Sequence, residues 1–260
     1  NAKDNDGKTA LMYASIGGKP DIVDLLITKG ADVNAKNKDD KTALMYASEK
    51  GNLDIADLLI SKGADVHAKD NNDKTILMYA SERGNLYIVD LLISKGADVN
   101  AKNKDDTTAL MYASIGGNID IVDLLIKKNA DLNAKDNKGS TILMYASKRG
   151  NLDIADLLIS KGADVNEKNN FRETSLMYAS LYGNKEVAEL LIAKGADVNE
   201  KNKDGKTVLM YTSYYNKLDV ANLLIENGAY VNEKDKNGKT ALMYAKSKDM
   251  ISLLKEAGAI

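Results

Sequence analysis

The sequence predicts an all-α fold, a solenoid of stacked helix-turn-helix units with protruding β-turn or hairpin loops. Three observations predict it. The pattern Thr-x-Leu-Met-Tyr recurs with its threonine at Thr9, Thr42, Thr75, Thr108, Thr141, Thr174, Thr207 and Thr240, always 33 residues apart. Each copy holds two short apolar segments bounded by residues that start or stop a helix, such as Thr42 and Gly51, then Asn52 and Gly63. The copies fill nearly all of the 260 residues, so no separate catalytic domain fits among them. A unit this short cannot bury its own apolar face and has to stack on its neighbours.

Residues 37–69 show the elements in order. Asn37-Lys38-Asp39-Asp40-Lys41 is a polar turn of residues that tolerate tight backbone geometry. Thr42 follows as the cap of a first helix carrying Leu44, Met45, Tyr46 and Ala47 and ending near Gly51. Asn52 is placed to cap a second helix, with Asp54 in its first turn. There Ile55, Ala56, Leu58, Leu59 and Ile60 predict burial nearly all round. Lys62 and Gly63 supply a cation for the helix end and a left-handed cap. Substitutions obey this geometry: Asn129 replaces the capping glycine in the fourth copy, and Pro20, the only proline, opens a second helix.

The unit resembles the ankyrin repeat over essentially the whole chain. The residues that carry the likeness are Asp4-Asn5-Asp6-Gly7-Lys8-Thr9-Ala10-Leu11-Met12-Tyr13-Ala14-Ser15 and Gly30-Ala31-Asp32-Val33-Asn34. The resemblance implies one array over 1–260, with repeats near 4–36, 37–69, 70–102, 103–135, 136–168, 169–201, 202–234 and 235–260. Two departures are consistent. The family's proline becomes alanine, isoleucine, serine or valine, and its histidine becomes methionine, for example Met45. That histidine ties the helix start to adjoining loops in the family, so packing is expected to replace a polar network here. The motif tyrosines are expected in the core. The last copy is three residues shorter and gains Lys246, Lys248, Lys255 and Glu256, a polar cap.

Composition narrows the function. Thirty-six basic and 38 acidic residues leave a formal charge of −2, which argues against nucleic acid as partner. Without cysteine there is no disulfide or thiolate metal site. That fits a reducing, cytoplasmic setting. No stretch reaches the roughly 20 apolar residues of a membrane span. Asn1-Ala2-Lys3 matches the middle of a unit, Asn34-Ala35-Lys36, so upstream residues and any targeting segment are expected to precede it.

Catalytic material is scarce. His67, the sole histidine, stands where most copies have asparagine, and the recurring Ser15, Ser48, Ser81 and Ser114 have no base to activate them. Asp4-Asn5-Asp6-Gly7 lacks the bidentate glutamate of a calcium loop. The expectation is no catalysis, no cofactor and no metal. Acidic pairs such as Asp54/Asp57 and lysines such as Lys62 suit the two ends of the second helix dipole, and the ladder of Lys3, Lys36 and Lys69 reads as solvated.

Exceptions to the repeat are the better guide to a partner. Phe171 and Arg172 occupy a turn, and Leu181, Tyr182, Tyr214 and Tyr215 follow the first helices of copies six and seven, where other copies hold Glu49/Lys50 or Glu82/Arg83. By the resemblance, these places line a concave protein-binding surface. Aromatic residues and arginine anchor such surfaces; the alternative is packing across the junction of the two copies. The expected activity is capture of an unidentified partner protein by a monomer, with self-association through the N-terminal end as the competing reading.

Overall fold

The computed structural model describes residues 1–260 and divides into two compact units, Asn1–Asp131 and Leu132–Ile260. The first contains α1 (Ala10–Ile16), α2 (Pro20–Thr28), α3 (Ala43–Lys50), α4 (Leu53–Ser61), α5 (Ile76–Arg83), α6 (Leu86–Ser94), α7 (Ala109–Gly116) and α8 (Ile119–Lys127). The second contains α9 (Ile142–Arg149), α10 (Leu152–Ser160), α11 (Ser175–Tyr182), α12 (Lys185–Ala193), α13 (Val208–Tyr214), α14 (Leu218–Glu226), α15 (Ala241–Tyr244) and α16 (Lys248–Glu256). Within each unit, odd-numbered helices pack on odd-numbered ones and even on even, giving two layers. This is the all-α helical-repeat solenoid that the period predicts.

The first helices start as expected. From Thr9 to Thr207, each motif threonine accepts the N–H of the methionine three residues on. Thr240 makes no such bond, and α15 spans only four residues. The three-residue deletion has removed the last turn of that helix: Ala245 is extended and Ser247 caps α16 in its place. Asn129 takes the left-handed conformation, φ 64°, and Pro20 opens α2. The turns carry no regular hairpin, only isolated bridges such as Lys3 to Thr9 and Lys69 to Thr75.

Burial reverses one expectation. The helix buried nearly all round is the first, with every residue of α3 from Ala43 to Ser48 inside. In α4 only Ile55, Ala56 and Leu59 are buried. The first helices pack closely on like neighbours and on their own second helices, whereas the second helices pack on one another less closely and form an outer layer whose acidic side meets water. Each interface is also asymmetric. Met45 and Met78 are buried, yet Met243 is 63% exposed, so the following pair covers the methionine. Tyr13 is 51% exposed and Tyr46 only 8%, so the preceding pair covers the tyrosine.

A second correction concerns Asn52, which does not cap α4. Its side-chain amide donates instead to the Ser15 carbonyl of the preceding pair at 2.7 Å. Asn85 and Asn118 repeat this with Ser48 and Ser81, and Asn184 does so with Ser147. The amide satisfies a carbonyl left open at the end of a first helix. The neighbouring glycines are shaped by it: Gly84 has φ 79°, and a Cβ there would lie 2.6 Å from the Asn118 side chain. Charged ladders add cross-links. Lys3 donates to the Lys36 carbonyl at 2.7 Å, and Lys168 and Lys201 pair with Glu200 and Glu233.

Candidate functional site

Each turn that presents the candidate residues is organised by one Asp or Asn. Asn169 Oδ1 accepts the N–H groups of Phe171 and Glu173, both at 2.9 Å, while its amide donates to the Tyr178 hydroxyl at 3.1 Å. The same tie, nine residues long, links Asp70 to Tyr79, Asn202 to Tyr211 and Asp235 to Tyr244. Two expectations change with it. The polar link between turn and helix survives without histidine, because the tyrosine hydroxyl makes it. Tyr46 and Tyr79 are buried, but Tyr178, Tyr211 and Tyr244 are only half-buried, placed at the edge where ring and hydroxyl are both served.

The six predicted site residues fall into three places. Phe171 and Arg172 form the tip of the turn before α11, with Phe171 51% exposed. The Lys203 N–H donates to the Phe171 carbonyl at 2.8 Å, fixing that tip against the next turn. Arg172 adopts φ 59°, at the register occupied by Gly139, Gly205 and Gly238. A left-handed conformation is uncommon outside glycine, asparagine and aspartate, so arginine is kept there against local preference. Leu181 and Tyr182 end α11. Leu181 is half-buried, and the exposed Tyr182 ring carries the Lys148 ammonium 5.4 Å from its centre. Tyr214 and Tyr215 end α13 with their rings edge to face, 4.8 Å apart.

Tyr214 also meets Tyr244 edge to face at 6.2 Å, while no ring contact joins it to Tyr182. Sequence reasoning missed Tyr244, assigned to the core with the other motif tyrosines. With Tyr214 and Tyr215 it walls a cleft of about 270 Å³, completed by Lys206, Met210 and Tyr211. The signal was present in the shortened last copy, whose truncated first helix leaves this side of Tyr244 open.

Charge around the cleft follows from burial and hydrogen bonding. The Tyr244 hydroxyl is pushed up to about 12, first by its bond to Asp235 and then by burial. Burial raises the Asp235 carboxyl, but the Tyr244 hydroxyl and the Lys239 and Asn237 amides outweigh it and hold it below the usual carboxylate value. Burial, with Glu173 beside it, pushes Tyr211 well up. Tyr211 and Tyr244 are therefore neutral hydrogen-bonding walls at physiological pH. No group of three or more His, Cys, Asp or Glu side chains is arranged to hold a metal ion, and no helix is long and apolar enough to cross a membrane.

A family model described as ankyrin repeats (3 copies) matches residues 1–70, 37–103, 77–169, 133–202 and 176–259. No curated protein matches the chain. Paired helices and Asx-ordered turns recur throughout the matched span, and the motif threonines keep a 33-residue spacing from Thr9 to Thr240. On these grounds the chain is a member of the ankyrin repeat family.

Proposed function

We propose that the chain captures a partner protein, with no chemistry of its own, on the side of the second unit that presents its turn tips and first-helix ends. Ankyrin repeats are generally protein–protein interaction modules and typically non-catalytic. The observation that carries the reading is the exposure of Phe171, Tyr182, Tyr214 and Tyr215, each about half open to water, at registers where no copy before the sixth holds an aromatic residue. Large apolar rings in solvent cost free energy that a partner recovers. Pull-down with wild-type chain and with Tyr182→Ala/Tyr214→Ala, compared by mass spectrometry, tests it. The partner is lost from the double variant while far-UV circular dichroism is unchanged; retention of the same partner at the same yield refutes the proposal.

One observation favours a second reading. Tyr13, Ile22 and Leu25 are exposed together on the first helix pair, an apolar edge of the kind that neighbouring pairs cover elsewhere. Stacking of a second copy there predicts concentration-dependent dimers in light scattering that Ile22→Lys abolishes.

A further inference from the structure

A lysine recurs at the last position of several turns, and its partner changes along the chain. In the first unit Lys41 and Lys74 pair with Glu49 and Glu82, eight residues on, at 3.6 and 2.6 Å. In the second unit the same register holds Glu173, whose carboxylate accepts from the Tyr178 and Tyr211 hydroxyls, then Lys206 with Tyr214 and Lys239 with Ser247, so neither of these two lysines has a carboxylate eight residues on. Lys206 and Lys239 lie 5.4 and 5.6 Å from the Tyr244 ring centre, and Lys246 lies 4.5 Å over Tyr214. None of the three forms a salt bridge. The Asp235 carboxylate nearby is committed to the Tyr244 hydroxyl and two turn amides. Across residues 203–217 and 235–248, seven lysines face two aspartates; the register-equivalent 38–52 and 70–83 hold five basic and six acidic residues.

We infer that this cleft receives an acidic peptide segment of the partner protein. One apolar side chain seats against Tyr214, Tyr215 and Tyr244, and flanking carboxylates pair with Lys206, Lys239 and Lys246. The inference rests on the protein-capture reading above and names the partner's chemistry. Size supports a single side chain: about 270 Å³ lies below the roughly 300–1,000 Å³ of drug-sized pockets. The three ammonium groups sit over tyrosine rings, which hold them in place without neutralising their charge. A phosphate polymer fits less well. The cations are confined to neighbouring turns, Asp204 stands among them and the chain carries −2 overall, whereas nucleic-acid binding needs many phosphate contacts along an extended basic track.

Fluorescence anisotropy on the full chain tests the inference with a labelled peptide of one phenylalanine flanked by two glutamates on each side. Comparison probes are the same peptide with lysines for glutamates and a uridine hexamer. The acidic peptide should bind at least about tenfold tighter than either, weaken as salt is raised, and lose about tenfold on Lys206→Gln/Lys239→Gln/Lys246→Gln. These side chains project from turns and helix ends, and circular dichroism verifies the fold. Equal binding of the basic peptide, tighter binding of the RNA, or indifference to the triple substitution overturns the inference. Dimers in light scattering that the triple substitution dissolves assign the lysines to a second copy and also overturn it. If the peptide fails but the pulled-down partner is still lost on Tyr182→Ala/Tyr214→Ala, the acidic chemistry is wrong and the capture reading stands. Peptide binding that tracks the lysines, with partner capture indifferent to those tyrosines, refutes the capture reading and the assignment of the peptide to that partner, and leaves only the cleft's preference for acidic peptides.

Discussion

At the residue scale, one side chain can serve the array or fail it. Asn34, Asn100 and Asn166 each bridge to the next helix pair by two hydrogen bonds, as when Asn34 donates to the Gly63 carbonyl and accepts the Asp65 N–H. His67 stands at that register, beside a cavity of about 440 Å³, and hydrogen-bonds only through its backbone N–H, to Asp65, so the two amide bonds to the next pair are missing. We expect His67→Asn to stabilise the chain by about 1 kcal/mol, read as a higher urea midpoint with an unchanged slope. The Asx–tyrosine tie makes a graded prediction. Tyr79→Phe removes the hydroxyl from the carboxylate of Asp70 and should cost about 1.5–3 kcal/mol, because that bond involves a charged group. Tyr46→Phe removes a neutral bond to Asn37 and should cost about 0.5–1.5 kcal/mol. Chemical denaturation of both variants settles the order. The nine-residue Asx-to-tyrosine spacing is present in every copy. It was passed over because a tyrosine inside an apolar motif reads as a ring to be buried, and the hydroxyl gives no periodic signal of its own.

At the scale of the element, helix starts were legible and ties between helices were not. A threonine before an apolar run has one local task, and seven of the eight perform it. Asn85 before α6 looks equally like a cap, but its partner, the Ser48 carbonyl, lies 37 residues back and no local pattern points to it. The two roles separate by experiment. Asn85→Asp keeps a good capping residue but loses the donor. The bridging role predicts a loss of at least about 1 kcal/mol, and a capping role predicts none. Gly84→Ala should also destabilise, since φ 79° disfavours a Cβ and the Asn118 side chain occupies its space. The reversal of burial between the two helices has a similar origin. In copies two, three and five the second helix is the more hydrophobic in sequence, yet the first is the more buried, because first helices pack more closely on one another than second helices do.

At the scale of the whole molecule, the period accounts for the fold and its violations mark the candidate site. Phe171, Arg172, Leu181, Tyr182, Tyr214 and Tyr215 were legible as exceptions, whereas the part played by Tyr244 and Lys206 depends on a shortened helix and a lost glutamate partner, which only the folded chain brings together. The tyrosine ties also set the pH range of stability. Tyr79, Tyr178, Tyr211 and Tyr244 have raised pKa values in the folded chain, for the first three chiefly through burial and for Tyr244 chiefly through its bond to Asp235. Unfolded tyrosine ionises near 10. Below that pH both states are protonated and the stabilisation is complete; above it the unfolded chain releases protons that the folded chain keeps, so stability falls as pH rises. Asp4, Glu167 and Asp235 are lowered, so their contribution is complete above the ordinary carboxylate range and lost as pH falls through their folded values. A plot of thermal midpoint against pH should be a plateau that declines from about pH 10 upward and from about pH 4 downward.

The central claim is that the repeat makes the fold and its exceptions make the binding surface. Reverting the exceptions to their register equivalents tests it most directly: Phe171→Asp, Arg172→Gly, Leu181→Glu, Tyr182→Lys, Tyr214→Glu and Tyr215→Lys in one chain. The measurement is affinity for the protein that wild-type chain captures, with the thermal midpoint followed alongside. The account predicts a thermal midpoint equal to or above wild type and loss of binding by at least about a hundredfold. Undiminished affinity in a fully folded variant would contradict it.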